Sequence, residues 1–188
     1  MTMQIFSLPI NPKLDEKFIE DIFIPFLKEH KDLIFDLYFT CRMPPFIQDA
    51  MGDTFVSEKE TTYNALYISK ETGIPLSATF NNIYVIPNQN NLDLFIENFK
   101  PLYEVGIKIA TIPHTSWILT GQIQKEFPDL YIKNTILREV TKANDIVSLA
   151  KAGFNYINLD RDLMRDQDQL KRLKEAKEYC ASIGKPVK

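Results

Sequence analysis

Four glycines, Gly73, Gly106, Gly153 and Gly184, each stand between a stretch of helical periodicity and a short apolar run, and Pro128 marks a fifth corner of the same kind. A glycine there supplies the left-handed residue that closes a helix, and four of the chain's six glycines are used this way. Successive corners lie about 20 to 33 residues apart, the length of one strand, one helix and two short loops. Such punctuation predicts an alternating α/β fold with a parallel sheet.

The units follow in order. MQIFSL (residues 3–8) reads as a first strand, ended by Pro9 and Pro12. Apolar residues at three- and four-residue spacing predict a helix over residues 14–30, bent or broken by Pro25. LIFDLYFT (33–40) is a second, largely buried strand, and CRMPP (41–45) a loop. A helix over 57–72 opens with Ser57 and Glu60 in capping-box spacing. Three strand and helix pairs come next: PLSATF with 91–105, IKIATI with 116–127, and DLYIKNTIL with 142–152. FNYINL, a helix over about 167–182 and the start of a strand at 186–188 complete the chain. Six strands and the beginning of a seventh are expected.

A doubly wound sheet and an eight-fold barrel both satisfy this order. The first strand-to-helix turn, SLPINPKLDE, has no Gly-x-Gly-x-x-Gly to cradle a pyrophosphate. The expectation is therefore a parallel (β/α) barrel, an incomplete TIM barrel forming one domain over residues 1–188 without its C-terminal strands, because eight units take about 250 residues. A homo-oligomer or a partner subunit is expected to cover the open edge.

Charge and cysteine content remove several function classes. Twenty-two basic against 25 acidic residues leave a net charge of -3, so no overall positive field advertises nucleic acid. Apolar runs stay well short of the roughly 18 residues of a membrane span, and the N-terminus lacks a leader pattern. A cytoplasmic protein without a membrane partner is expected. Cys41 and Cys180 match neither a C-x-x-C nor a zinc spacing, so no metal is expected and both thiols are read as reduced.

Alternation along the strands separates two faces, the outer one aliphatic against helices and the inner one polar. In PLSATFN, Leu76, Ala78 and Phe80 point out, and Ser77, Thr79 and Asn81 point in. In LYIKNTI, Leu130 and Ile132 point out, and Tyr131, Lys133 and Thr135 point in; in FNYINLD the inward set is Tyr156, Asn158 and Asp160. His114 falls just past the end of its strand, on the face where barrels place their chemistry. His114, Asp160 and Arg161 are thus candidate catalytic groups, and Asn81, Lys133 and Asn158 candidate substrate-binding groups. Each has a bland alternative. His114 is a general acid or base, or a loop histidine bonded to a carbonyl. Arg161 binds a carboxylate or phosphate, or lies in an internal salt bridge. Lys133 is a desolvated amine suited to a Schiff base or proton transfer, or reaches solvent. Asn81, Asn134 and Asn158 orient a substrate or satisfy one another. RDLMRDQDQLKRLKEAK (161–177) is either a solvated helix face or an RNA-facing one.

PLSATFN (75–81), EVGIKIATIPH (104–114) and LYIKNTILREVTKANDIVSLAKAGFNYINLDRDL (130–163) occur in the order in which the barrel domain of the U32 peptidase, or collagenase-like, family carries similar pieces. The run from Gly73 to Lys188 resembles that domain, most specifically at LDRDL after Ala152 and Gly153. The resemblance implies a hydrolase or a protein associated with hydroxylation of RNA or ring metabolites, acting on a small-molecule, peptide or RNA substrate. The alternative is a non-catalytic binding or assembly subunit. Three departures stand out: His114 replaces the family's usual Asp, Lys133 and Thr135 occupy small or Gln positions, and Asp162 replaces Glu. The family's cysteine signature would lie beyond Lys188, so no cofactor is expected within this chain, and an iron-sulfur cluster only in a chain that continues.

Overall fold

The computed structural model describes residues 6–11, 14–47 and 58–188. Five strands, β1 (Phe6–Pro9), β2 (Ile34–Thr40), β3 (Leu76–Thr79), β4 (Ile109–Ile112) and β5 (Tyr131–Asn134), lie side by side in chain order. Every neighbouring pair is parallel. Helices α3 (Glu58–Thr72) and α4 (Gln89–Glu104) provide the crossovers from β2 to β3 and from β3 to β4, the short α5 (Thr115–Leu119) and α6 (Gln122–Glu126) lie between β4 and β5, and α7 (Ala143–Ala152) follows β5. Helix α8 (Gln167–Ser182) follows. This is an incomplete α/β barrel, as the punctuation predicts, and all four corner glycines have positive φ.

The helices are where apolar periodicity puts them because each buries one stripe. In α4, Leu92, Phe95, Phe99 and Leu102 recur at helical spacing and are buried, against the outward Leu76, Ala78 and Phe80 of the β3 region. A second cluster joins Ile146 and Ala150 of α7 to Leu173, Ala176 and Cys180 of α8 and to Val187.

Several boundaries differ from expectation, each for an identifiable reason. Pro9 is the last residue of β1, one position beyond the expected end. β1 is the edge strand, where a missing N–H costs no ladder bond. Pro25 does not break its helix: α1 (Glu16–Phe18), a π-helical turn (Ile19–Phe23) and α2 (Ile24–Glu29) run on continuously. The widened turn lies directly before the proline, whose ring and missing N–H disfavour ordinary α-helical bonding. The expected helix over 116–127 is split at Gly121, which has φ 74°. There the Thr120 hydroxyl donates to the Trp117 carbonyl and accepts from Gln122 N–H, competing with the helix for its own bonds. Residues 3–5 and Ser57, with its capping box, lie outside the described residues.

The sixth strand is also reduced. FNYINL forms only isolated bridges, Lys133 with Tyr156 and Val140 with Leu159. Asparagine side chains interrupt the ladder, which keeps a few backbone bonds such as Asn155 N–H to the Ile132 carbonyl: Asn155 Oδ1 accepts from Ile132 N–H at 2.8 Å, and Asn134 Oδ1 accepts from Asn158 N–H at 2.6 Å. The expected start of a seventh strand at 186–188 is not a strand, although Lys188 exchanges two backbone hydrogen bonds with Asn155 and Ile157. No helix among the described residues is long and apolar enough to cross a membrane.

Candidate functional site

Alternation along the strands determines what faces the lumen. Leu76, Ala78, Leu130 and Ile132 join the main apolar cluster, which leaves Ser77, Thr79, Tyr131 and Lys133 on the other face. At the C-terminal half of the sheet these open into a cavity of about 360 Å³ whose lining includes Thr40, Thr79, Asn81, Thr111, Lys133 and Asn158. The three residues expected to bind substrate, Asn81, Lys133 and Asn158, therefore meet in one cavity. Asn158 serves two purposes, since its amide and that of Asn134 clamp the two segments together.

Lys133 does not reach solvent. It is 4% exposed, and its Nζ donates to Asp36 Oδ2 at 2.8 Å across the lumen, with Ser7 Oγ at 3.5 Å. Asp36 is fully buried, and its Oδ1 has no hydrogen-bond partner. The ammonium also lies 4.8 Å from the centre of the Tyr156 ring. The Asp36 carboxylate reaches the surrounding phenols: burial first, and its charge second, raise Tyr38 and Tyr156. Tyr131 is pushed up to about 12 by burial, then Tyr156, then Asp36. These phenols remain neutral hydrogen-bonding groups at any physiological pH.

Asp36 is the residue that sequence reasoning missed. Its signal was present: one acid in the apolar strand LIFDLYFT, on the same parity as Tyr38 and Thr40 and opposite to Leu37 and Phe39.

The candidate catalytic groups lie apart from this cavity. His114 is 3% exposed, at the start of α5, with its ring edge-on to Trp117 at 4.8 Å. It contacts Arg138, whose Nη2 is 3.1 Å from Nδ1, and the Val85 backbone also acts on the ring. A guanidinium only donates, so Nδ1 must accept, and the neutral ring carries its proton on Nε2. That buried Nε2 has no hydrogen-bond partner. Arg138 Nε also donates to the Pro113 carbonyl at 3.0 Å, so the guanidinium ties the β5–α7 turn to the β4–α5 loop. From this turn Ile136 lines the lumen cavity. Asp160 Oδ1 accepts from Asp162 N–H and caps a 3-10 turn (Arg161–Arg165), and Arg161 is exposed. Neither lines the lumen cavity.

Burial first, and the Arg138 charge second, hold His114 below its ordinary value of 6.5, against a smaller opposing pull from the Val85 backbone. The folded chain therefore binds fewer protons at this ring than the unfolded chain does. Stability present above pH 6.5 is lost as pH falls below it toward the native value. In urea melts, the wild-type midpoint should fall more steeply than that of His114→Gln between neutral pH and the onset of carboxylate titration. Parallel curves for the two proteins would sink this assignment.

Among the described residues no group of three His, Cys, Asp or Glu side chains is placed to hold a metal ion. Cys41 and Cys180 are buried in separate apolar clusters, so they do not form a cluster-binding set.

No family model and no curated protein matches the chain. Solved structures do. The U32 peptidase Mk0906 superimposes with a TM-score of 0.62 at 9% identity, over 93% of this chain and 65% of that one. An HpcH/HpaI aldolase from Desulfitobacterium hafniense DCB-2 does so with a TM-score of 0.52 at 9% identity, over 95% of this chain and 75% of that one. The chain thus spans less than two thirds of the U32 peptidase's length. At such low identity the likeness extends to architecture alone: the five parallel strands and their helices are those of an incomplete TIM barrel.

Proposed function

We propose that the chain works as a U32 peptidase-like enzyme barrel that engages a small molecule, or a small group of a peptide or RNA, at the C-terminal mouth of the lumen. The observation that supports this reading is the cavity of about 360 Å³ at the strand ends, where the polar side chains of Asn81, Lys133 and Asn158 converge on a largely apolar lining. Barrel enzymes build their sites on this face, and a concave site with a few convergent polar groups is what a ligand pocket requires. Hydrolysis or a hydroxylation-associated reaction enters through the family resemblance. In this reading His114, fixed by Arg138, is a proton carrier on the loop that follows β4, and Asp160 and Arg161 meet the outer part of a larger substrate. The Schiff-base alternative at Lys133 is disfavoured, because an ammonium held by a buried carboxylate offers no lone pair to a carbonyl.

The test is a chemical-shift titration with small polar metabolites, peptides and oligoribonucleotides. A ligand should move the signals of Thr79, Asn81 and Thr111 together. Thr111→Val should weaken its binding about fivefold, the worth of one hydrogen bond, with little change in melting temperature. Shifts confined to the open sheet edge instead would overturn the lumen reading in favour of a binding or assembly subunit.

A further inference from the structure

The charge balance of the lumen determines which ligands it accepts, and the inference that follows rests on the lumen reading above. The strand register places Thr40 beside Thr79, Thr79 beside Thr111 and Thr111 beside Lys133. With strands about 4.8 Å apart, the three hydroxyls form a ladder across the cavity wall that ends at the ammonium. Among the described residues, Lys133 is the one charged side chain in that wall. Its charge is already matched: Nζ lies 2.8 Å from Asp36 Oδ2, and the carboxylate is fully buried behind it.

An anion drawn to Lys133 would lose its hydration and meet a pair of zero net charge, whose carboxylate keeps an unpartnered Oδ1. A hydroxyl or an amide meets no such penalty. Each threonine hydroxyl both donates and accepts, and the Asn81 amide adds one group of each kind. At about 360 Å³ the cavity is near the lower end of ligand-site volumes, which favours a small occupant.

We infer that the lumen takes a small, neutral, hydroxyl- or amide-bearing group, and that Asp36 is the specificity-determining residue that turns phosphates and carboxylates away. Asp36→Asn removes the countercharge and leaves the Lys133 ammonium as an unmatched charge in the cavity wall.

The experiment is a heteronuclear titration of the full chain with glycerol and with inorganic phosphate, on wild type, Asp36→Asn and the uncharged pair Asp36→Leu/Lys133→Met. In wild type, glycerol should shift Thr79 and Thr111 and phosphate should leave them in place. Asp36→Asn should bind phosphate at least about tenfold more tightly, as a freed charge in a partly dry site requires, with shifts at the same threonines. The uncharged pair, which has no ammonium left to attract an anion, should refuse phosphate. Phosphate binding to wild type within threefold of Asp36→Asn would overturn the role of Asp36 while leaving the lumen site intact. Phosphate binding to Asp36→Asn at residues remote from Thr79 and Thr111 would overturn the lumen site itself. If Asp36→Asn does not fold, wild type decides: phosphate shifting the threonines, or glycerol failing to shift them, overturns the inference.

Discussion

Lys133→Met should destabilise the protein by about 3–5 kcal/mol, the cost of leaving a buried charge without its partner. Methionine fills nearly the same volume, so the loss reports on charge and not on a cavity. The partner left behind is Asp36, fully buried, whose Oδ1 lacks a hydrogen bond even in the wild-type chain. For a chain of this length the melting temperature should drop by roughly 6–20 °C. Asp36→Leu/Lys133→Met should recover most of that loss, because a buried ion pair is commonly worth little more than well-packed apolar groups of similar size. A double-mutant cycle at neutral pH measures both effects. If Lys133→Met melts with wild type, the carboxylate is being relieved through the cavity, and the pair is not the structural tie across the lumen that its 2.8 Å separation indicates.

The same pair shows what a single sequence reveals and what it conceals. Strand parity requires only local information, so it placed Lys133, Asn81 and Asn158 on one wall. The partner of Lys133 lies 97 positions away, and no local pattern states which of several polar residues a lysine will meet across a lumen. The helix corners were legible because a left-handed residue is a property of one position, as at Gly153 with φ 116°. The division at Gly121 was not, since it depends on the Thr120 hydroxyl taking up bonds the helix would otherwise make. The sixth strand was overestimated for a related reason: alternating hydrophobicity in FNYINL is genuine, but the Asn155, Asn158 and Asn134 side chains compete for the ladder. His114 was correctly placed at the end of its strand, yet its guanidinium partner comes from the next strand-to-helix turn, 24 residues on.

Phe95→Ala should cost about as much as breaking the ion pair, about 3–5 kcal/mol, through lost transfer energy and the cavity left behind. Phe95 is fully buried in α4, and its ring packs on Phe80 at 4.9 Å, Phe99 at 5.7 Å, Trp117 at 5.7 Å and Phe46 at 6.0 Å. These neighbours come from the end of β3, from α4, from α5 and from the loop after β2, so one side chain braces three strand ends at the face that carries the site. Trp117 in turn holds the His114 ring at 4.8 Å. Truncation should therefore loosen the mouth as well as lower the melting point: amide exchange should accelerate at Phe80, His114 and Trp117 before it does so in α8, whose apolar contacts belong to the other cluster. Tyr84→Ala is the matched control, because Tyr84 is 80% exposed and should change stability by less than about 0.5 kcal/mol. Uniform acceleration in both clusters would mean that the two unfold as one unit and that the aromatic group has no separate hold on the mouth.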